Sequence, residues 1–284
     1  MVYVTKSFGY IIQALLIFMI HLMVYYETNP IKEMLDEFSD YENLFNYITG
    51  WPIYIFVMIN YILACTMHPG KIRENWELCY NYPKSQVTYC EACKVVKPPR
   101  SWHCVRCGFC VVKRDHHCDF TNQCVGYGNI KPFTFFCIFG FIGCAQFLVR
   151  SLQYSYHWIN DDLECVKAYS KTYMIFLWFL MYVVLAFALF LTTITKRIIM
   201  NVLYNTTTLE QMVIADGALR PCEFITVENN AFDLGEIPNW VQSFGINPLL
   251  WFWPISPSRN GVTLGPFFNY LEALFDAKYH MKMI

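Results

Sequence analysis

Four long apolar spans limit what this sequence can fold into more than any other feature. They cover about Phe8 to Tyr25, Ile48 to Met67, Phe133 to Leu152 and Tyr173 to Ile194. Each is close to the length of about 20 residues that an α-helix needs to cross the hydrocarbon core of a bilayer. With 56% hydrophobic and only 15% charged residues, the 284-residue chain is too apolar for an ordinary soluble domain. The sequence therefore predicts an α-helical integral membrane protein with four transmembrane helices.

The stretch between the second and third spans, from Cys90 to Asn129, is rich in metal-binding residue types. It holds seven of the thirteen cysteines and three of the seven histidines. Cysteines separated by two residues can direct two thiolates at one ion from a tight turn. The candidate ligands are Cys90, Cys93, His103, Cys104, Cys107, Cys110, His117 and Cys124. They suffice for two four-coordinate zinc ions with three sulfurs and one nitrogen each, and the alternative is a disulfide-rich loop.

Cys118 is left over when these ligands are counted, and it follows Asp115, His116 and His117. Neighbouring side chains on an extended backbone point to opposite sides, so His117 can face a metal while His116 and Cys118 face away from it. A histidine beside an unliganded thiol promotes the reactive thiolate. Asp115 would orient that histidine as the third member of a catalytic triad does. Alternatively, these residues are one more ligand cluster and a different cysteine is spare.

The charged residues predict which loops face the cytosol. Six acidic residues and one lysine lie between the first two spans, whereas ten Lys and Arg lie between residues 68 and 131. Because positively charged loops stay on the cytosolic side, the cysteine-rich stretch and both termini are expected there, and residues 155–172 are expected in the lumen. A reducing cytosol also suits zinc-binding thiolates. The net charge of −1 argues against nucleic acid as a partner.

The cysteine-rich stretch resembles that of the DHHC family of protein S-acyltransferases, also called palmitoyltransferases. The residues that carry the resemblance are Cys90, Cys93, Lys97 to Arg100, His103, Cys104, Cys107, Cys110, Asp115 to Cys118, Asn122, Cys124 to Gly126, Asn129 and Phe133. The resemblance implies one structural zinc ion on Cys90, Cys93, His103 and Cys110, and a second on Cys104, Cys107, His117 and Cys124. Spacing alone does not select this interleaved pairing over a simpler one.

The resemblance also implies an activity, which is transfer of a palmitoyl or similar long acyl chain from acyl-CoA to cysteine thiols of membrane or membrane-associated proteins. Cys118 would form an acyl-enzyme, and the substrate thiolate would then take the acyl group in a ping-pong reaction. His116 would act as the base and Asp115 would orient it. The family suggests residence in the endoplasmic reticulum or Golgi.

Two segments after the fourth span extend the resemblance. Thr207 and Thr208 belong to a Thr-Thr-x-Glu motif that the family carries near the catalytic Asp, and a hydroxyl there could donate to Asp115. The same residues would equally serve as a helix cap with a capping-box glutamate. Further on, the segment from Asn230 to Gly245 resembles the C-terminal part of the family, which packs beneath the membrane.

Two sets of residues are candidates for substrate contacts. Gly140 and Gly143 lie in the third span, where they would leave the deep end of an acyl-chain cavity open for chains as long as stearoyl. Alternatively, these small residues permit close helix packing. Arg100, Lys113 and Arg114 are candidate partners for the CoA phosphates, and the alternative is that each is a solvated basic residue near anionic lipid.

Three positions depart from the family pattern. Phe120 stands where the family usually has Trp, and His68 replaces the Asp of an Asp-Pro-Gly element. Asp119 follows Cys118, and a poorly solvated carboxylate there would raise the thiol's pKa by like-charge repulsion. The alternative function is therefore a catalytically silent, membrane-anchored zinc scaffold of the same fold. A zinc-binding ubiquitin ligase would need longer ligand spacings.

The expected organisation has four parts. They are residues 1–67 with the first two transmembrane helices and a lumenal loop, residues 68–131 with the cytosolic domain that binds two zinc ions, residues 132–195 with the last two helices, and residues 196–284 with the cytosolic C-terminal segment.

Overall fold

The computed structural model describes residues 2–34, 40–72, 88–98, 100–160, 170–215, 230 and 232–253. Four long helices account for most of them: α1 (Val2–Met34), α2 (Asp40–Thr66), α3 (Ile130–Asn160) and α4 (Lys171–Leu203). Each contains a stretch long and apolar enough to cross a membrane. The predicted helical membrane fold is therefore confirmed, with the cysteine-rich region between the second and third spans.

Large apolar side chains cover the outside of these helices. Leu15 and Phe18 on α1, and Phe179 and Tyr182 on α4, are all more than half exposed. In water an apolar surface of this extent would be unfavourable, whereas in a bilayer it meets lipid chains. A helix also satisfies its own backbone hydrogen bonds, which a span in lipid requires.

The cysteine-rich region folds into three antiparallel β-hairpins. The first pairs β1 (Thr88–Cys90) with β2 (Val95–Lys97), the second pairs β3 (Trp102–Cys104) with β4 (Phe109–Val111), and the third pairs β5 (His116–Cys118) with β6 (Gln123–Val125). A turn over residues 91–94, 105–108 or 119–122 joins the two strands. The last residue of each turn, which is Lys94, Gly108 or Asn122, has a positive φ. The three hairpins therefore share one turn geometry.

In the described residues after α4 there are two short helices, α5 (Thr208–Ala215) and α6 (Glu236–Phe244), and a 3₁₀ turn at Pro248–Leu250. The chain forms two compact units. The cysteine-rich unit comprises residues 1–10, 61–134 and 196–284, and the helical unit comprises residues 11–60 and 135–195. The three hairpins, α5 and α6 all belong to the cysteine-rich unit.

Within the cysteine-rich unit, the third hairpin is attached to the last turn of α2. The Tyr61 hydroxyl donates to the Phe120 carbonyl oxygen at 2.8 Å. The side-chain amides of Gln123 and Asn129 both donate to the Ala64 carbonyl oxygen. Because the last carbonyl groups of a helix have no partners within the helix, these two amides cap α2.

Two glycines after the third hairpin are required by the close approach of another backbone segment. A Cβ at Gly126 would lie 2.6 Å from the Pro69 carbonyl oxygen, and one at Gly128 would lie 2.2 Å from the His68 carbonyl oxygen. No side chain fits at these separations, and the Gly128 N–H donates to the Pro69 carbonyl oxygen at 3.1 Å. The segment after α2 is thereby packed directly on the hairpin region.

Candidate active site

The first group of potential metal ligands is Cys90, Cys93, His103 and Cys110. The His103 Nδ1 atom lies 3.6 Å from Cys90 Sγ, 3.2 Å from Cys93 Sγ and 3.8 Å from Cys110 Sγ. The sulfurs of Cys93 and Cys110 are 3.7 Å apart. Four donor atoms therefore surround one point.

The second group, Cys104, Cys107, His117 and Cys124, has nearly the same dimensions. The His117 Nδ1 atom lies 3.4 Å from Cys104 Sγ, 3.3 Å from Cys107 Sγ and 3.7 Å from Cys124 Sγ. The sulfurs of Cys107 and Cys124 are 3.6 Å apart. Both groups offer three sulfurs and one nitrogen.

These separations fit a tetrahedral zinc ion. Zinc–sulfur bonds of about 2.3 Å and zinc–nitrogen bonds of about 2.0 Å place tetrahedral ligand atoms about 3.5 to 3.8 Å apart. The donor atoms within each group all lie within 4.8 Å of one another. Each group could therefore hold a metal ion, and a set of three thiolates and one imidazole is typical of structural zinc.

The hairpins explain why the two groups interleave along the sequence. The first group joins the turn thiols of the first hairpin to the cross-strand pair His103 and Cys110 of the second. The second group joins the turn thiols of the second hairpin to the cross-strand pair His117 and Cys124 of the third. His103 and Cys104 belong to different groups because neighbours on a strand point to opposite sides.

Cys118 lies outside both groups and is the first member of a hydrogen-bonded series. Its side chain is hydrogen-bonded to the His116 ring. The His116 Nδ1 atom lies 2.7 Å from Asp115 Oδ2, and the ring packs edge-on against Phe133. A thiol, an imidazole and a carboxylate in this order form the arrangement of an activated nucleophile.

The surroundings of Cys118 and His116 favour a charged pair. Burial raises the pKa of the Cys118 thiol, but hydrogen bonds from His116 and Thr121 outweigh it and hold the pKa below its ordinary value. Burial lowers the pKa of His116, but hydrogen bonds to Asp115 and Cys118 raise it to about 9. Both shifts favour the thiolate–imidazolium pair over the neutral thiol and imidazole.

Asp115 is fixed by donors from α4 and α5. Its Oδ1 atom accepts hydrogen bonds from the Thr208 N–H at 2.8 Å and the Asn201 amide at 3.0 Å, and its Oδ2 atom accepts one from the Thr208 hydroxyl at 3.0 Å. Burial raises the pKa of Asp115, but hydrogen bonds to His116 and Thr208 hold it below its ordinary value. Asn201 was missed by sequence reasoning, because an asparagine inside an apolar helix shows no sign of its partner.

Thr207 and Thr208 have different contacts. The Thr207 N–H donates to Glu210 Oε2 at 2.8 Å, and the Glu210 N–H donates to the Thr207 hydroxyl oxygen at 3.2 Å, which is a capping box. Thr208, the first residue of α5, makes the contacts to Asp115. The motif therefore contains both a helix cap and a support for the carboxylate, on neighbouring threonines.

Arg100 connects the approach to the second hairpin with the start of α5. Its guanidinium donates to both carboxylate oxygens of Glu210, at 2.7 and 2.8 Å, and to the side chain and carbonyl oxygen of Asn205, at 2.9 and 2.7 Å. The side chains of Arg100 and Glu210 are each only 1% exposed. Sequence reasoning missed this ion pair, because its partners are far apart in the chain.

A family model described as DHHC palmitoyltransferase matches residues 83–215, somewhat less than half of the chain. The matched range includes both metal-binding groups, the Cys118 series and α5. Over residues 83–215 the chain is similar to the DHHC palmitoyltransferase domain.

Curated relatives agree with this assignment. Palmitoyltransferase ZDHHC15 of Rattus norvegicus is 33% identical over 172 residues, which are 61% of this chain and 48% of the relative. ZDHHC15 of Xenopus laevis is 34% identical over 182 residues, which are 64% of this chain and 49% of the relative. Palmitoyltransferase ZDHHC2 of Homo sapiens is 32% identical over 175 residues, which are 61% of this chain and 44% of the relative. The matches thus span a little under half of each relative.

Asp119, the residue after Cys118 that departs from the pattern of the DHHC family, is paired and solvated. Its carboxylate forms an ion pair with the Arg106 guanidinium, and its side chain is 45% exposed. The condition under which Asp119 would raise the thiol's pKa, which is poor solvation, is therefore not met.

His68 replaces the usual Asp and keeps the role of a turn acceptor. Its Nδ1 atom accepts a hydrogen bond from the Gly70 N–H at 3.0 Å, as an Asp side chain would two residues before a turn N–H. The ring also lies against Phe109, with centroids 5.2 Å apart. The altered motif therefore preserves the turn after α2.

Arg114 and Lys113, the other two basic residues predicted to contact CoA phosphates, are less enclosed by protein partners than Arg100. Arg114 donates to the His103 carbonyl oxygen at 3.0 Å. Lys113 is partly buried, and burial together with the nearby Arg100 lowers its pKa to about 7. The phosphate role is least compatible with Arg100, whose guanidinium donors already have buried partners.

Gly140 and Gly143 line an apolar cavity within the helical unit. The cavity also has Met19, Val57, Phe136 and Phe187 in its lining. A Cβ at Gly143 would lie 3.6 Å from Ile53, and one at Gly140 would lie 3.4 Å from Leu191. Both are ordinary van der Waals separations, so neighbouring helices do not require glycine at either position.

The C-terminal segment caps the end of α4. The Asn239 side-chain amide donates to the Leu203 carbonyl oxygen at 2.7 Å, and the Asn230 amide donates to the Tyr204 carbonyl oxygen at 2.7 Å. Residues beyond 253 and half of the loop predicted to be lumenal, namely residues 161–169, lie outside the described part of the chain.

Proposed function

We propose that this chain is a protein S-acyltransferase. It transfers a palmitoyl or similar long acyl chain from acyl-CoA to cysteine thiols of proteins through an acyl-enzyme on Cys118. The observation that carries the proposal is the hydrogen-bonded series of Cys118, His116 and Asp115, whose sulfur belongs to neither metal-binding group. The curated relatives are named palmitoyltransferases, which supports the same reaction.

The first step is attack of the Cys118 thiolate on the thioester carbonyl carbon of acyl-CoA. A new carbon–sulfur bond forms, and the bond between the acyl carbon and the CoA sulfur breaks. His116, which holds the proton taken from Cys118, gives it to the departing CoA thiolate. Asp115 keeps the imidazole oriented for this transfer.

The second step returns the enzyme to its starting state. The thiol of the protein substrate gives its proton to His116, and the resulting thiolate attacks the acyl group on Cys118. Cys118 then leaves as a thiolate beside the imidazolium. Because CoA departs before the protein thiol reacts, the kinetics should be of the ping-pong type.

Two zinc ions are the proposed cofactors, one in each group of ligands. When bound, zinc would supply cross-links between successive hairpins, since a closed site of four protein ligands has no open position for catalysis. The chain's own contribution is geometric, because His117 faces the second group while His116 and Cys118 on the same strand remain free of both groups.

We propose that the acyl chain occupies the apolar cavity lined by Gly140 and Gly143. Burial of each methylene contributes roughly 0.8 kcal/mol, so a long chain binds far more strongly than a short one. Lys113 and Arg114 are the proposed partners for the CoA phosphates, and Arg100, with its donors engaged, is the weakest candidate of the three.

The proposed location is an endoplasmic reticulum or Golgi membrane, with the active site and both termini in the cytosol. The excess of Lys and Arg between residues 68 and 131 supports this orientation. The proposed substrates are cytosolic-face cysteines of membrane or membrane-associated proteins. The alternative, a silent zinc scaffold, is less favoured because His116 and Arg106 offset the two features that would make Cys118 unreactive, namely burial and Asp119.

The test is formation of the acyl-enzyme. The full chain is purified in detergent and incubated with labelled palmitoyl-CoA beside the Cys118→Ser variant, with Cys65→Ser as the matched cysteine control. The expected label appears on wild type and Cys65→Ser, is removed by hydroxylamine as a thioester is, and is absent from Cys118→Ser. A chain that binds two zinc ions but takes no label would contradict the enzyme and favour the scaffold.

A further inference from the structure

The three hairpins repeat one arrangement of side chains. In the first two, the residue that ends the first strand is Cys90 or Cys104, and a second cysteine, Cys93 or Cys107, follows three positions later in the turn. In each of these hairpins the two thiols point at the same metal-binding group. We call these two residues, three positions apart, the turn pair. In the first two hairpins the turn pair supplies two of the four potential metal ligands.

In the third hairpin, the residue that ends the first strand is Cys118 and the residue three positions later is Thr121. The turn has the same length, and Asn122 has a φ of 53°, close to the 55° of Lys94 in the first hairpin. Thr121 therefore occupies the position of the second thiol, opposite Cys118. Within the described residues, Cys118 and Thr121 belong to no group of metal ligands.

Thr121 has its polar groups directed at the nucleophile. Its side chain is buried, with 1% of the residue exposed, and its hydroxyl and backbone N–H are near enough to the Cys118 sulfur to help lower the pKa of that thiol. The hydroxyl also lies 3.3 Å from the Gln123 carbonyl oxygen and 3.5 Å from the Cys118 carbonyl oxygen. These two distances are long for a hydroxyl hydrogen bond, so the hydroxyl remains available to the sulfur and to an atom bound next to it.

We propose that Thr121 is a catalytic residue that stabilises the oxyanion formed when Cys118 attacks a thioester. As the new carbon–sulfur bond forms, the carbonyl π electrons move to oxygen, and that oxygen comes to lie beside the sulfur that Thr121 contacts. The hydroxyl and N–H of Thr121 then donate to the oxyanion. Its electrons return when the CoA sulfur leaves with its bonding pair and takes the proton from His116. Preorganised donors of this kind stabilise tetrahedral intermediates because they need no reorientation as charge develops.

This inference rests on the proposed acyltransferase function and adds a residue to its active site. In the first two hairpins the turn pair directs two sulfurs at a metal-binding group. In the third hairpin it would direct one nucleophilic sulfur and one hydroxyl at a thioester. The Cys-x-x-Thr spacing that repeats Cys-x-x-Cys is the sequence signal for this role.

The test compares two variants of the full chain in detergent. Thr121→Val keeps the shape and the backbone N–H but removes the hydroxyl, and Thr121→Ser keeps the hydroxyl. For each, single-turnover acylation by saturating palmitoyl-CoA is measured beside alkylation of Cys118 by iodoacetamide, which forms no oxyanion. We expect Thr121→Val to slow acylation about tenfold or more while alkylation changes by less than about twofold, and Thr121→Ser to react nearly as wild type in both assays.

Each other outcome overturns the inference. Equal acylation rates for wild type and Thr121→Val would exclude a role for the hydroxyl. Parallel losses of acylation and alkylation would show that the hydroxyl acts on the thiol or on the fold, and a Thr121→Ser variant as slow as Thr121→Val would show that the effect is not specific to loss of the hydroxyl. A wild-type chain that is alkylated on Cys118 but never acylated would overturn the proposed function together with this inference, whereas acylation of wild type with no effect of Thr121→Val would overturn the inference alone.

Discussion

The charge on the residues next to Cys118 decides how readily its sulfur reacts. His116 supplies a positive neighbour, because Asp115 on its other side stabilises the imidazolium. Asp119 would supply an unfavourable negative neighbour, but the Arg106 guanidinium pairs with its carboxylate. The negative charge of Asp119, which departs from the family pattern, is therefore offset by Arg106, a residue that sequence reasoning did not consider.

The Arg106–Asp119 pair leads to a prediction about acylation rates. Arg106→Gln should slow the proposed acylation of Cys118, because it leaves the charge of the Asp119 carboxylate uncompensated beside the thiol. Exposed ion pairs are worth up to about 1 kcal/mol, so the expected effect is no more than about fivefold. Single-turnover labelling with palmitoyl-CoA at low and high salt measures it.

The double variant Arg106→Gln, Asp119→Asn is the control for this prediction. It removes both charges and should recover most of the rate, and high salt should reduce the difference between wild type and Arg106→Gln. A double variant as slow as Arg106→Gln would mean that Arg106 acts in another way.

At the scale of elements, the start of α5 matters more than its eight-residue length suggests. Thr207 caps the helix, Thr208 holds the Asp115 carboxylate, and Glu210 completes the cap and binds Arg100. One helix end therefore stabilises both the orientation of the Asp115 carboxylate and the approach to the second hairpin.

Replacing each of the two threonines by valine should have different effects, on the acylation rate for Thr208 and on stability for Thr207. Thr208→Val removes a hydroxyl hydrogen bond to a buried carboxylate, so acylation should slow about tenfold. Thr207→Val removes the cap, which should lower the free energy of unfolding by about 1 kcal/mol while acylation stays within about twofold. Labelling rates and melting temperatures, measured on the same preparations, test both. Equal effects of the two variants on the labelling rate would contradict the division of roles.

The buried ion pair between Arg100 and Glu210 predicts a larger loss of stability. Glu210→Gln should lower the free energy of unfolding by about 3 to 5 kcal/mol, because it leaves the Arg100 charge buried without an anionic partner. Glu236→Gln, an exposed residue in the first turn of α6, is the matched control and should change little. Denaturation in detergent measures both. If the two variants melt alike, the pair contributes no stability.

These elements show where sequence reasoning reaches its limit. The membrane spans and the two Cys/His groups that could hold metal ions could be predicted, because apolar length and ligand spacing are local properties of the sequence. The partners of Asp115 and Arg100 could not, since Asn201, Glu210 and Asn205 lie 86 to 110 positions away along the chain. The proposed role of Thr121 rests on the turn geometry that the three hairpins share, and this geometry is visible only in the structure.

At the scale of the whole molecule, the metal ions should control folding of the cysteine-rich unit. Within its described part, the three hairpins are short, and the two ligand groups contain side chains from all of them. We expect a chelator to release two zinc ions per chain and to abolish acyl-enzyme formation and protease resistance of this unit together. Acidification should favour release, because protons compete with the metal for thiolate and imidazole ligands.

Loss of activity while protease resistance remains would contradict this purely structural role for the metal ions. Readdition of zinc under reducing conditions is the control, and it should restore resistance before or together with labelling.

If the proposed acyltransferase function is correct, the cavity in the helical unit should set the length of acyl chain that is accepted. Gly143 lines the cavity, and a Cβ there would meet Ile53 only at an ordinary contact distance of 3.6 Å. Small side chains are therefore tolerated by the fold, but a tyrosine ring at this position must extend into the cavity. Gly143→Tyr should shift the preference from stearoyl-CoA and palmitoyl-CoA toward shorter acyl-CoAs, as measured by competition between chain lengths in the labelling assay.

The matched control for this variant is Ile142→Tyr, which introduces the same ring one position earlier on α3, where the side chain is 39% exposed. It should leave the chain-length preference unchanged. If Gly143→Tyr shortens the preferred chain and Ile142→Tyr does not, the effect arises from cavity volume and not from the added ring. If Gly143→Tyr labels with the wild-type preference, the acyl chain does not reach Gly143.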